Sequence, residues 1–304
     1  MRQTEERYIS LLTDFGFKRI FGSDINKDLL IDFLNSLFNG EQVVKNVTYL
    51  NSEHVGDVYA ERKAIFDVYC ENERGEKFIV EMQNAYQTFF KDRSLFYSTF
   101  PIREQAPKSS DWNFCLKKVY VVALLNFKMS DEAFDSSDTI HTIALMDTKT
   151  NKVFNAKLMF KYVEVGRFDK ADNELTSLSD KWMYVLKNLS RLDGRPAALR
   201  EKIFTKLFDA AAIARFSPTE LREYEDSLKA YRDIKNSLDT AKAEGRAEGR
   251  AEGRAEGRAE GRAEGRAEGR AEVAKTMMEK GMDVKIIASL TGLSEEEIKS
   301  LRKQ

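Results

Sequence analysis

The stretch that decides the fold is Ala64-Ile-Phe-Asp67-Val-Tyr-Cys70, which returns as Lys77-Phe-Ile-Val-Glu81-Met-Gln83. Glu73-Arg74-Gly75 between the two runs reads as a three-residue turn, with Gly75 at the left-handed position such turns use. That loop predicts a register in which facing residues have numbers summing to 148, so Asp67 lies opposite Glu81. Side chains alternate along a strand. One face then collects Phe66, Val68, Cys70, Phe78, Val80 and Met82, and the other collects Asp67, Glu81 and Gln83. Facing carboxylates repel, at roughly 0.2–1 kcal/mol across a strand pair. A cation between them reverses the sign, so the hairpin reads as a holder for a hard divalent metal.

Outward from the hairpin, residues 24–39 carry Leu29, Leu30, Phe33, Leu34 and Leu37 at helical spacing, with Gly40 after the end. Before them lies Asp14-Phe-Gly-Phe-Lys18-Arg19-Ile-Phe-Gly22, a segment rich in Gly and Phe that reads as an aromatic-rich turn. Val43–Leu50 suits a first strand. Residues 87–105 read as a helix that Pro101 kinks or ends. The continuous apolar run Lys118–Phe127 suits a central strand. Helix, strand, strand, strand, helix, strand is the order of a mixed α/β core with a crossover helix before its last strand.

Beyond residue 130, Ile140–Met146 and Val153–Val165 flank a polar turn and predict an added hairpin. Helices follow at 177–192 and 196–215. Ser217-Pro218-Thr219-Glu220 is a capping box with proline at the first helical position. The stripe Leu221, Tyr224, Leu228, Tyr231, Ile234 and Leu238 that follows suits either a coiled-coil seam or docking on the chain's own body. From Ala243 to Arg270 the unit Ala-Glu-Gly-Arg repeats seven times. In a helix this stacks Glu on Glu and Arg on Arg at i, i+4, and each Gly costs about 1 kcal/mol against Ala. The tract, about 42 Å long as a helix, is therefore either a solvated spacer or a helix supported by a second one, and the capped helix feeding into it favours the latter. Val273–Lys280, Asp283–Leu290 and a capped segment from Ser294 have the spacing of a helix-turn-helix. Glu295-Glu296-Glu297 at the start of its last helix repels phosphate, which favours a capping or assembly role there. The expected division is 1–130 mixed α/β core, 131–216 added hairpin and helices completing the globular body, 217–272 long helix with the repeat, and 273–304 small helical module.

The formal net charge over 304 residues is −1, so no global basic field argues for nucleic acid. Contact with DNA must come from a local patch or through metal. Cys70 and Cys115 are the only cysteines, and both sit in apolar runs. Reduced, buried thiols and a cytoplasmic protein are the expectation. The N-terminus lacks an apolar signal-peptide core, and Val119–Leu125 is far too short for a membrane span. His54 and His141 are isolated and read as structural.

Two carboxylates plus the Met82 main-chain carbonyl, which lies between Glu81 and Gln83, make a sufficient ligand set for Mg²⁺ (or Mn²⁺), an ion that keeps most of its waters. Such a site serves phosphodiester hydrolysis by metal-activated water. At these residues the chain resembles the PD-(D/E)XK nucleases, with Gln83 in the position of the superfamily's Lys. More closely, Asp14–Gly22, Asp67 with Glu81-Met-Gln83, Asp180-Lys-Trp182, the Glu-Gly-Arg repeat and Thr291-Gly-Leu-Ser-Glu-Glu-Glu-Ile298 together resemble the Rpn family. Its members are described as recombination-promoting nucleases or transposases of bacteria.

The resemblance implies a restriction-endonuclease-like fold and a metal-dependent DNA endonuclease that promotes recombination. Asp67 and Glu81 become the metal carboxylates, Gln83 a water- or phosphate-orienting amide, and Lys18 the cation that restores the lost charge. Lys18 reads equally as a solvated flank. Arg93 and Tyr97 share a helix face and either contact DNA or lie over the sheet. Asp28 and Asp32 also share a face and could supply a third carboxylate, but solvation of the outer face is the simpler account of them. Two other readings stand beside this one. A catalytically silent DNA-binding or assembly protein could keep the fold as a scaffold, and a transposase would need a third acid. The stripe and the repeat also predict a homo-oligomer through the C-terminal helix.

Overall fold

The computed structural model describes residues 6–54, 64–106, 113–129, 134 and 137–301. The expected boundary at 130/131 lies outside them. The chain divides into two compact units, Met1–Asn236 and Ser237–Gln304.

In the first unit, α1 (Asp14–Phe21) and α2 (Lys27–Phe38) precede β1 (Val47–Tyr49). A two-residue ladder pairs β2 (Glu53–His54) with β3 (Ala64–Ile65). Then come β4 (Val68–Asn72), β5 (Lys77–Gln83), α3 (Phe90–Arg103), β6 (Val119–Leu125), β7 (Ile140–Met146) and β8 (Val153–Val163). Helices α4 (Leu178–Asn188), α5 (Lys202–Ala211) and α6 (Pro218–Glu279) complete the sequence of elements in or entering from this unit. The main sheet has the order β1-β4-β5-β6-β8-β7. Strand β6 is parallel to both β5 and β8, and the other pairs are antiparallel. The fold is α/β with a mixed sheet, and the added hairpin β7–β8 extends that same sheet.

The hairpin register is the one its turn dictates. Val68 faces Val80 and Cys70 faces Phe78, so the sum of 148 holds along the ladder. The turn closes with Gly75 N–H donating to the Asn72 carbonyl at 2.9 Å, and Gly75 sits at φ +73°. The two faces differ from expectation. Val68, Cys70, Phe78 and Val80 enter one core with α1, α2, α4 and α5, whereas Phe66 enters the opposite core with Tyr69, Ile79 and the face of α3. Strand pairing stops at Ile65 and resumes at Val68. This break lets Phe66 turn to the other side. Both faces are thus apolar over most of their length, as a sheet covered by helices on both sides demands.

Three other local readings change. The segment Asp14–Phe21 is a helix rather than a turn. Thr13 caps it, its hydroxyl accepting from Gly16 N–H at 3.1 Å. A Cβ on Gly16 would fall 2.1 Å from the Ser10 carbonyl oxygen, so glycine permits the close docking of the preceding loop. The first strand is confined to Val47–Tyr49. Cys115 is exposed, unlike the buried Cys70, because the strand after it begins only at Val119.

The stripe on α6 divides. Tyr224 is buried and accepts from Ser10 N–H at 3.0 Å, while Leu228 and Tyr231 pack on the main core. Leu221, Ile234 and Leu238 are exposed. Within the first unit the body thus takes Tyr224, Leu228 and Tyr231 of the stripe. At the start of this helix Ser217 and Glu220 form the expected capping box, Ser217 N–H donating to Glu220 at 2.8 Å.

The second unit carries the repeat tract as helix with every residue from 243 to 270 exposed. Helices α7 (Val284–Thr291) and α8 (Glu295–Leu301) follow, and a small core of Ala274, Ile287 and Ile298 joins them to the end of α6. Glu297 caps α8 through Ser294, whose N–H donates to it at 2.7 Å. The acids at the start of α8 thus serve its N-terminus. No helix among the described residues is long and apolar enough to cross a membrane.

Candidate active site

Asp67 occupies the break between β3 and β4, and Glu81 lies near the C-terminal end of β5. The two are locked reciprocally. Met82 N–H donates to the Asp67 carboxylate at 2.7 Å, and Asp67 N–H approaches the Glu81 carboxylate at 3.4 Å. A residue in a strand points its N–H and C=O to the same side. The Gln83 carbonyl accepts from Asn126 N–H at 2.8 Å, on the β6 side. The Met82 carbonyl therefore opens toward Asp67.

Glu81 is only 6% exposed and Asp67 is partly buried. Burial, opposed by the Met82 amide, holds the Asp67 carboxyl above its ordinary value. Burial and then the facing Asp67 push Glu81 up to about 8. Two carboxylates in this position resist simultaneous ionisation. The pair must share a proton or a cation.

Two basic side chains act on the pair from helices on either side of the sheet. Arg93 of α3 donates to the side-chain oxygen of Gln83, and the Gln83 amide nitrogen in turn donates to Glu81 at 3.3 Å. The Arg93 guanidinium also donates to Gln87 and lies 5.8 Å from the centre of the Tyr97 ring. Its charge and that of Lys18 both favour ionised Asp67 and Glu81. Lys18 of α1 pairs with Asp14 at 2.8 Å. Half-burial lowers its pKa, but the bond to Asp14 and the charges of Asp14, Asp67 and Glu81 more than offset this, leaving it raised. Tyr97 packs edge-on against Phe66 at 5.4 Å, and burial and then Glu81 raise its hydroxyl. Arg93 thus both covers aromatic surface and reaches the acidic pair through Gln83.

Other acids go elsewhere. Asp32 accepts from Trp182 Nε1 at 2.7 Å, and Asp28 pairs with Lys206. Asp32 is therefore held by the helical layer, while Asp28 is exposed, as expected, beside its lysine. No group of three or more His, Cys, Asp or Glu able to hold a metal occurs among the described residues. Mg²⁺ typically uses one or two protein carboxylates, so a pair with an adjacent carbonyl fits it. Asp14 and Gln87 escaped the sequence reading. A four-residue step from Asp14 to Lys18 was the available signal for the first, and Gln87 had none.

The model of the PD-(D/E)XK nuclease family transposase matches residues 11–241. The chain belongs to this family. A second model, the C-terminal helix-turn-helix domain of the Rpn/YhgA-like nuclease family, matches residues 267–303. No curated protein and no solved structure matched the chain. The family match covers the sheet, the acidic pair and both basic side chains, while the helix-turn-helix match covers α7 and α8. The family assignment supports a nuclease- or transposase-like role and association with DNA.

Proposed function

We propose that the chain is a divalent-metal-dependent DNA endonuclease that hydrolyses phosphodiester bonds in the cytoplasm and promotes recombination. The observation that carries this reading is the buried Asp67–Glu81 pair, each raised toward protonation by burial and by a neighbouring acid. A fold seldom keeps such a pair without a use for it.

Asp67, Glu81 and the Met82 carbonyl are the residues that would hold Mg²⁺ or Mn²⁺. A cation bound there supplies Lewis acidity toward the phosphate and a nucleophilic water at neutral pH. Glu81 and Asp67 would hold that ion, and its charge would offset their mutual repulsion. Gln83 is neutral and orients a water or a phosphate oxygen by hydrogen bonding. Arg93 supplies the positive charge that Gln83 lacks, and a guanidinium matches two phosphate oxygens at once. Lys18 adds a second positive charge from the other layer. Tyr97 completes the wall beside Arg93 as a candidate DNA contact.

The exposed Leu221, Ile234 and Leu238 and the solvated repeat favour a homo-oligomer through the C-terminal helix. Light scattering at micromolar concentration tests this, and a monomer would contradict it. A second reading, a catalytically silent DNA-binding protein, is favoured by Gln83, whose side chain is already engaged by Arg93 and Glu81. Titration calorimetry separates the two, since a silent scaffold takes up no Mg²⁺. Strand transfer, the transposase chemistry, is checked by joining assays with donor DNA ends. The central experiment is plasmid cleavage by purified protein with Mg²⁺, compared with Asp67→Ala and Glu81→Ala. Loss of cleavage in both variants, by about 10³-fold or more for a metal-held reaction, is expected. Equal cleavage by all three proteins would overturn the assignment.

A further inference from the structure

Phe89, the residue that caps α3, and Phe96 within it present rings to solvent. A groove of about 510 Å³ is lined by Gln87, Thr88, Phe89, Asp92, Arg93 and Phe96. Phe89 is 73% exposed and Phe96 is 44% exposed. Positions 89, 93 and 96 fall on one helix face at i, i+4 and i+7. The face continues through Phe100, whose ring meets that of Phe96 edge-on at 5.2 Å. Aromatic, cation, aromatic is thus the order along this face.

Arg93 belongs to the groove and to the candidate active site at once. Its guanidinium reaches Gln83, and Gln83 reaches Glu81. Arg93 therefore links the groove to the acidic pair through Gln83. A nucleotide whose phosphate lies at Asp67 and Glu81 would place its neighbour along Arg93 and into the groove. Bases in a duplex have their ring faces already stacked on one another. An unpaired base has a free face, and exposed Phe rings beside an Arg are the surface that takes it. Asp92 at the rim repels phosphate, which leaves the backbone on the Arg93 side, and its oxygens accept from an exocyclic amine.

We propose that this groove is a stacking platform for an unpaired base beside the scissile phosphate. The substrate class is then DNA with single-stranded character next to the cleavage point. The proposal rests on the nuclease reading for its placement of the phosphate. The platform itself is testable without catalysis.

The test measures binding of a fluorescein-labelled 20-nucleotide single strand, and of the matching duplex, to the full chain in chelator. Fluorescence anisotropy gives the affinities, for wild type, Phe89→Ala/Phe96→Ala and Phe89→Tyr/Phe96→Tyr. Both residues are exposed, and circular dichroism checks that the variants keep their fold. Wild type should prefer the single strand, the alanine variant should lose about tenfold or more of that affinity, and the tyrosine variant should keep it. The same oligonucleotides with Mg²⁺ then report cleavage. Ring-dependent binding without cleavage would remove the nuclease reading and leave the platform. Cleavage with equal single-strand affinity in wild type and the alanine variant would overturn the platform and leave the nuclease. A change of oligomeric state in the alanine variant, without a change in DNA affinity, would mark the face as a protein contact and also overturn it.

Discussion

The two ends of the β4–β5 hairpin each bury an acid from the same stretch of chain, and treat it in opposite ways. At the turn, Glu76 accepts from Asn72 Nδ2 at 2.6 Å and from the Gln42 amide, and pairs with Arg74 at 3.3 Å. Five residues on, Glu81 meets a second carboxylate, and the charges that favour its ionised form stand behind Gln83 or on neighbouring helices. A buried acid supplied with its own donors holds a fold together. A buried acid set against another acid costs stability until something joins them. Burial alone therefore does not distinguish structure from function, whereas the sign of the neighbours does.

The largest effect should come from the turn end. Glu76→Ala leaves the Asn72 and Gln42 amides buried without their acceptor, which costs about 3 kcal/mol. Chemical denaturation should show that loss. Glu81→Gln should instead stabilise the metal-free chain at neutral pH, since Gln is neutral without the proton that folded Glu81 must take up beside Asp67. If both substitutions destabilised equally, the contrast between the two ends would fail.

Metal should then act at one end only. A ligand that binds the folded chain alone, at a hundred times its Kd, stabilises by about 2.7 kcal/mol. Mg²⁺ or Mn²⁺ should raise the thermal midpoint of wild type and of Gly75→Ala alike, and leave Glu81→Gln unmoved. A rise of the same size in Glu81→Gln would locate the ion elsewhere.

The pH response has a definite sign. Glu81 ordinarily titrates near 4.5 and is pushed to about 8 in the fold. The folded chain therefore holds a proton that the unfolded chain releases. The associated stability is present below about pH 4.5 and is lost as pH rises toward 8. Holding that proton ten times more tightly is equivalent to about 1.4 kcal/mol. In chelator, wild type should lose at least that much relative to Glu81→Gln between pH 5 and pH 8, read from denaturation midpoints. A constant difference between the two proteins across that range would refute the repulsive pair.

Much of this contrast was legible beforehand, for identifiable reasons. Loop length and Gly75 dictate a register, and the register puts Asp67 opposite Glu81 without any tertiary information. Capping boxes at Ser217 and Ser294 are local chemistry and hold in the same way. What the sequence concealed depends on the third dimension. Phe66 changes face because pairing lapses at residues 66–67, and no side-chain pattern signals that lapse. Arg93 is hydrogen-bonded to Gln83 because the crossover helix lands beside the end of β5. Spacing on α3 showed which residues share a face, and could not show what that face meets. Likewise the α6 stripe is periodic throughout, yet the body occupies only Tyr224, Leu228 and Tyr231.

The smallest effect concerns the turn itself and separates register from chemistry. Gly75 sits at φ +73°, and a Cβ there would meet nothing nearer than the Lys117 side chain at 3.8 Å. The cost of Gly75→Ala is therefore backbone conformation alone, about 1 kcal/mol, and Gly75→Asn should cost less because Asn tolerates the left-handed region. Strand pairing runs from Glu71–Lys77 to Val68–Val80, and a one-residue slip from this register would turn every side chain of one strand to the other face. The buried faces on both sides of the hairpin forbid the slip. Asp67 should thus still face Glu81 in the Ala variant, and DNA cleavage at a temperature well below its melting point should match wild type. A loss of cleavage far beyond the loss of stability would mean that the turn sets the geometry of the acidic pair across the length of the hairpin, and the two ends would have to be treated as one site.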